Sequence, residues 1–199
     1  ILALPIARDM LDRRVMAVAD AEKAMDMPCA AWIIDIDDLP ARLLAQQQIQ
    51  RFASTLLRLK RESGNAIFGF TSVKVGGGVT GLTLDLAVAL QRQGSRVLVV
   101  DANSLNESSV GAHTPGLVNF LKSEVDLAGL VTSMTHGQYV VPYVHYGSDR
   151  SCGIVRLDLL QSALASWHQV FDFVLLDLPP FLPSADAELL TDEIGRAHV

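Results

Sequence analysis

Three continuous apolar runs constrain this chain most: "AIFGFTS" at 66–72, "RVLVVDA" at 96–102 and "FDFVLLDLPP" at 171–180. An unbroken apolar strand suits a parallel sheet covered by helices on both faces, where neither side meets water. The stretches between them carry helical periodicity, so the alternation reads as βαβ units. The expected fold is therefore α/β, three layers with a mainly parallel central sheet flanked by helices.

The flanking segments fit that plan. Residues 8–26 read as a polar-faced helix ended by Pro28, and "AAWIIDI" at 30–36 reads as a further strand. A second helix is expected from the "DDLP" at 37–40 to about Arg61, with Ile49, Phe52, Leu56 and Leu59 recurring on one face. Residues 83–94 form a strongly apolar helix with Gly94 at the C-cap glycine position, and Leu157, Leu160, Leu164 and Trp167 mark another. At 199 residues, one sizeable core is the expectation.

Charge removes one class of partner. The formal net charge is -6 and no basic stripe is present, so nucleic acid is not an expected partner. Cys29 and Cys152 show neither zinc spacing nor a disulfide framework. The apolar start "ILALPIARDM" is broken by Pro5 and Arg8, well short of the ~20 residues a bilayer requires. Lacking an initial Met, it reads as the stub of a longer protein.

The chemistry is concentrated where the first strand meets a helix, in "TSVKVGGGVTG" at 71–81. Gly76, Gly77 and Gly78 have no Cβ, so their amides can turn around an anion while the helix presents its positive end. Three glycines also suit a plain strand-to-helix turn, but two other strand ends favour the phosphate reading. Thr80 offers a hydroxyl, and Asp101 and Asp177 each end an apolar run, so all three should meet at one edge of the sheet as oxygen ligands for magnesium. An acidic residue in either position can instead cap the following helix.

The order of glycine loop, "RVLVVDAN" and "FDFVLLDLPPFLPSADAELL" resembles the ATPase core of bacterial tyrosine kinases, relatives of the MinD and ParA ATPases. The likeness extends to "LDRRVMAVADAEKAMDMPCAAWI" at 11–33, similar to the juxtamembrane stretch of polysaccharide co-polymerases, and to "GLVNFLKSEVDLAGLV" at 116–131. It implies a three-layer P-loop NTPase-like fold, with a juxtamembrane helical segment over 1–29 and a P-loop kinase-like domain over 30–199, cut short at "IGRAHV". It also implies membrane attachment upstream of residue 1, at the cytoplasmic face of a bacterial inner membrane. The implied partners are the polysaccharide export and polymerisation machinery and further copies of the chain. The implied cofactors are ATP or ADP with Mg2+.

The departures are as informative. The resemblance calls for Gly-Lys-Ser/Thr, and this loop reads Gly78, Val79, Thr80. The lysine that would meet the β and γ phosphates is missing, which weakens or removes nucleotide binding and turnover. Lys74 stands where MinD-like relatives carry a signature lysine; it either substitutes for the lost cation or is a solvated loop residue. Asp101 with Lys74 are the candidate catalytic groups, and Lys74, Gly76, Gly77, Gly78, Val79 and Thr80 the candidate nucleotide contacts. The second motif has Asn103 and Leu105 where the kinases carry Asp and Arg, and the helix before the first strand has Gln48, Arg51 and Ser54 in place of a ring-assembly pattern. Tyr139, Tyr143 and Tyr146 lie in an internal segment rather than a C-terminal cluster, and His113, His136, His145, His168 and His198 form no site. The expected function is regulatory, that of a degenerate kinase-like domain; an active tyrosine autokinase and a MinD-like ATPase switch are the alternatives.

Overall fold

The structure is a computed structural model and describes residues 18–26, 28–33, 39–103, 117–121, 126, 130–133, 139–141 and 157–181. The chain divides into two compact units, Ile1–Gln48 with Val199 and Ile49–His198. The first contains the short helix α1 (Val18–Met25) and the opening of the long helix α2 (Leu39–Ser63). No helix among the described residues is long and apolar enough to cross a membrane.

The second unit holds the sheet. Its strands are β1 (Ile67–Phe70), β2 (Val97–Asp101), β3 (Thr132–Ser133), β4 (Tyr139–Val141) and β5 (Phe173–Asp177), in the order β1-β5-β2-β4-β3. The first four in that order run parallel and β3 pairs antiparallel at the edge. Among the described residues it also contains helices α3 (Val79–Arg92), α4 (Leu117–Leu121) and α5 (Leu157–Val170).

Both faces of the sheet are buried, and the two-residue period of the strands divides them. Leu98, Val100, Val174 and Leu176 join Leu160, Ala163, Leu164 and Trp167 of α5. Val97, Val99, Phe173 and Leu175 join Ile49, Ala53 and Leu56 of α2 and Leu86, Ala87 and Leu90 of α3. This is the sandwich that the apolar runs require.

Helix ends follow local chemistry. Gly94, at φ 87°, donates to Gln91 while Ser95 donates to Leu90, a Schellman closure that only a residue tolerant of positive φ completes without strain. The same helix begins four residues earlier than its apolar periodicity suggested, because Gly78 at φ 75° turns the chain directly into it. The expected strand at 30–36 is not formed over residues 30–33; Trp32 is 57% exposed and lies on no sheet. Its apolar composition was misleading, since among the described residues no strand pairs with 30–33; residues 34–36 lie outside the described set. The same holds for residues 8–17 of the first expected helix, and for Tyr143 and Tyr146; Tyr139 begins β4.

At the amino edge of the sheet, Arg96 donates its backbone N–H to Asp172 Oδ2 at 2.8 Å and its Nε to the same oxygen at 3.3 Å. Lys60 Nζ donates to the Asp172 carbonyl at 2.7 Å and lies 4.8 Å from the centroid of the Phe173 ring. The hydrogen bond from the Arg96 side chain, reinforced by its backbone N–H, holds the Asp172 carboxyl below its ordinary value near 3.8. That contribution is present above the ordinary value and is lost as pH falls through the depressed one. Because the pair is partly solvated, Asp172→Ala is expected to destabilise by no more than about 1 kcal/mol at pH 7. In urea titrations the difference from the parent should close as pH is lowered.

Candidate functional site

The carboxyl edge of the sheet is set by register. Asp177 pairs with Phe70 on one side and with Asp101 on the other, so the two carboxylates end adjacent strands. The segment after Phe70 runs to the amino end of α3, placing the glycine loop at the same edge. Gly76 and Gly78 take φ of 80° and 75°, values an L side chain adopts only with strain. At Gly77 the constraint is space: a Cβ would stand 2.5 Å from Ser72 Cβ. The three glycines therefore serve a close turn.

Asp177 is the centre of the arrangement. It is 1% exposed, and Thr80 Oγ1 donates to its Oδ2 at 2.6 Å across 97 residues of sequence. Its other oxygen, Oδ1, is buried with no hydrogen-bond partner. Burial raises the Asp177 pKa above its ordinary value near 3.8, and the Thr80 hydrogen bond opposes the rise only in part. An orphaned carboxylate oxygen beside a hydroxyl is the donor set a hard divalent cation takes. Asp101 is partly exposed next to it, its Oδ1 accepting the Asn103 N–H at 3.1 Å. The three oxygen-bearing residues expected from sequence, Thr80, Asp101 and Asp177, thus gather at one edge, and their chemistry fits Mg2+.

The raised pKa has a consequence for stability. A carboxyl whose folded value exceeds its unfolded one contributes stability at low pH that is lost as pH rises through the folded value. Asp177→Asn is therefore expected to stabilise the ligand-free protein at pH 7, on the order of 1 kcal/mol, and to flatten that loss. Thermal melts across pH check it.

The remaining candidates are placed as follows. Val79 opens α3 half-buried, its carbonyl accepting the Thr83 hydroxyl at 2.9 Å. Lys74 is exposed between Val73 and Val75, themselves 67% and 66% exposed. Gln48, Arg51 and Ser54 all lie on α2. Of the five histidines, only His168, in the last turn of α5, is among the described residues. Sequence reading placed Thr71 and Ser72 at the end of the first strand and the start of the glycine loop but gave neither side chain a role. Thr71 Oγ1 donates to the Pro179 carbonyl at 2.7 Å and Ser72 Oγ to the Lys74 carbonyl at 2.8 Å. The paired prolines were the signal available for Thr71, since they interrupt the backbone donors opposite it.

A parallel sheet whose first strand leads through a glycine turn into a helix, with carboxylates ending the neighbouring strands, defines a P-loop NTPase-like protein. Residues 66–194 match the family model described as "Cellulose biosynthesis protein BcsQ", and the chain belongs to that family. The chain is similar to tyrosine-protein kinase CpsD of Streptococcus agalactiae serotype III (strain NEM316), 23% identical over 133 residues, covering 64% of this chain and 57% of the kinase. It spans less than two thirds of that relative's length. Its fold is shared with the kinase domain of Escherichia coli tyrosine kinase ETK, at a TM-score of 0.78 and 19% identity over 92% of this chain and 80% of that one. The BceF tyrosine kinase domain gives a TM-score of 0.73 and 19% identity over 89% and 81% of the two chains. The resemblance to the cytosolic domains of bacterial tyrosine kinases, stated above from motifs, is thus borne out, as is the α/β P-loop fold.

Proposed function

We propose that this chain is a degenerate tyrosine-kinase-like domain that regulates exopolysaccharide biosynthesis or export through partner contacts, with weak or no ATP turnover. The observation that carries it is Val79, which opens α3 directly after the glycine turn, where a phosphate-binding lysine would stand. Membership of a cellulose-biosynthesis family supports the polysaccharide role. In this reading residues 1–29 are a juxtamembrane segment, residues 30–199 lie at the cytoplasmic face of the inner membrane, and the partners are export and polymerisation proteins and further copies of the chain.

Nucleotide phosphates would rest on the amides of Gly76, Gly77, Gly78 and Val79, which need no side chain to bind an anion. Thr80, Asp101 and Asp177 would hold Mg2+, and when bound the ion neutralises charge on the β and γ oxygens. Burial leaves Asp177 Oδ1 without a hydrogen-bond partner, while Thr80 orients the carboxylate by donating to Oδ2. The Val79 side chain offers neither a charge nor a donor. Loss of one preorganised transition-state donor costs about 2.7–4 kcal/mol, roughly a 10²–10³-fold loss of rate.

An active autokinase is the second reading, favoured by Lys74, an exposed cation in the same loop. Turnover of Mg·ATP and phosphotyrosine formation by the parent chain, Val79→Lys and Lys74→Ala decide between them. The proposed function expects parent turnover near background and no change in Lys74→Ala. Phosphotyrosine on the parent chain, abolished by Lys74→Ala, would overturn it.

A further inference from the structure

Beside the glycines runs a series of contacts that phosphate binding itself does not need. After the Phe70–Asp177 pair, Leu178 N–H donates to the Phe70 carbonyl at 2.8 Å. Pro179 and Pro180 have no N–H, so the backbone donors of this segment lapse for two residues. Thr71 reaches across with its hydroxyl, donating to the Pro179 carbonyl at 2.7 Å. Past the second proline, Phe181 N–H donates to the Ser72 carbonyl at 2.8 Å. The exits of β1 and β5 are thus fastened together beyond the strands themselves.

Ser72 also holds the loop from its other side. Its hydroxyl donates to the Lys74 carbonyl at 2.8 Å, and its Cβ and Oγ occupy the space that a Cβ on Gly77 would enter, at 2.5 and 2.9 Å. One residue therefore touches the middle glycine with its side chain and the Phe181 amide with its carbonyl. Displacing the Leu178–Phe181 turn pulls on the Ser72 carbonyl, and Ser72 lies against the face of Gly77 where there is no room even for a Cβ, so the two segments move together.

We infer that Thr71 and Ser72 are positioning residues that couple the phosphate loop to the Leu178–Phe181 turn after Asp177, so that a magnesium-bound di- or triphosphate in the loop fixes the turn. This rests on the phosphate-site reading above. An anion on the loop amides restrains Gly77, the restraint passes through Ser72 to the Phe181 amide, and the Thr71 hydroxyl keeps the Pro179 side in step. Phe181, 47% exposed, carries the change to the surface.

Amide hydrogen exchange on the full chain tests this, with Mg·ADP as the probe and Val79→Lys as the tight-binding background. Mg·ADP is expected to slow exchange at the Phe181 amide. Thr71→Val should abolish that slowing and weaken Mg·ADP binding about three- to tenfold, as loss of one hydrogen bond implies, and Thr71→Ser should restore both. A purely structural hydroxyl would lower the melting temperature and leave the nucleotide-dependent slowing intact, which overturns the inference. Ser72→Ala, which keeps the backbone link and loses the hydroxyl on Lys74, is a second variant expected to reduce the slowing; full slowing in it counts against the coupling. If Val79→Lys binds Mg·ADP and the Phe181 amide does not respond, the coupling alone fails. If calorimetry detects no Mg·ADP binding to Val79→Lys, the phosphate site fails and the inference falls with it.

Discussion

Val79→Lys is expected to tighten Mg·ADP binding about 10- to 150-fold, the range that hydrogen bonds to charged groups of about 1.5–3 kcal/mol correspond to. Residue 79 is the first of α3 and follows a glycine already in the left-handed conformation, so the backbone is shaped before the side chain matters. Lysine also has a better helix propensity than valine, and the change should leave stability almost untouched. The gain should shrink as salt is added, as a charge–phosphate contact requires. Calorimetric titration of both chains reads it, and equal affinities would mean that the glycine turn is not where phosphates sit.

Phe173→Ala is the substitution expected to damage the fold most, by about 3–5 kcal/mol in chemical denaturation. Phe173 is 0% exposed, its ring lies 6.1 Å from that of Phe68 at 28°, and it packs within the cluster formed with α2 and α3. Total stabilities of domains are about 5–15 kcal/mol, so the variant would lose a large part of its margin. A cost below about 1 kcal/mol would mean that this face of the sheet is not the packed layer described.

The legible part of the fold was the part fixed by burial. Val97–Val100 and Phe173–Leu176 had to be covered on both faces, and that requirement, with the carboxylates at their ends, put Asp101 and Asp177 at one edge of the sheet, while their adjacency came from the register. Residues 30–33 show the limit of the same logic: an apolar run becomes a strand only where a neighbour offers backbone partners, and local composition does not reveal neighbours. The two-residue strand β3 was invisible for a related reason, since its existence depends on pairing with β4. At the site, residue types indicated oxygen ligands, while the Thr80–Asp177 hydrogen bond and the orphaned Asp177 oxygen come from contacts 97 residues apart. Thr71 and Ser72 escaped notice because their partners, Pro179 and Phe181, lie more than a hundred residues away.

The most direct measurement is a crystal structure of the unaltered chain soaked with Mg·ADP. The expected result is a diphosphate on the amides of Gly76 to Val79, the metal against Thr80 and Asp177, and no protein cation touching the phosphate oxygens. Lys74, or a cation from a neighbouring copy, seated on those oxygens would contradict the loss of charge on which the degenerate reading depends.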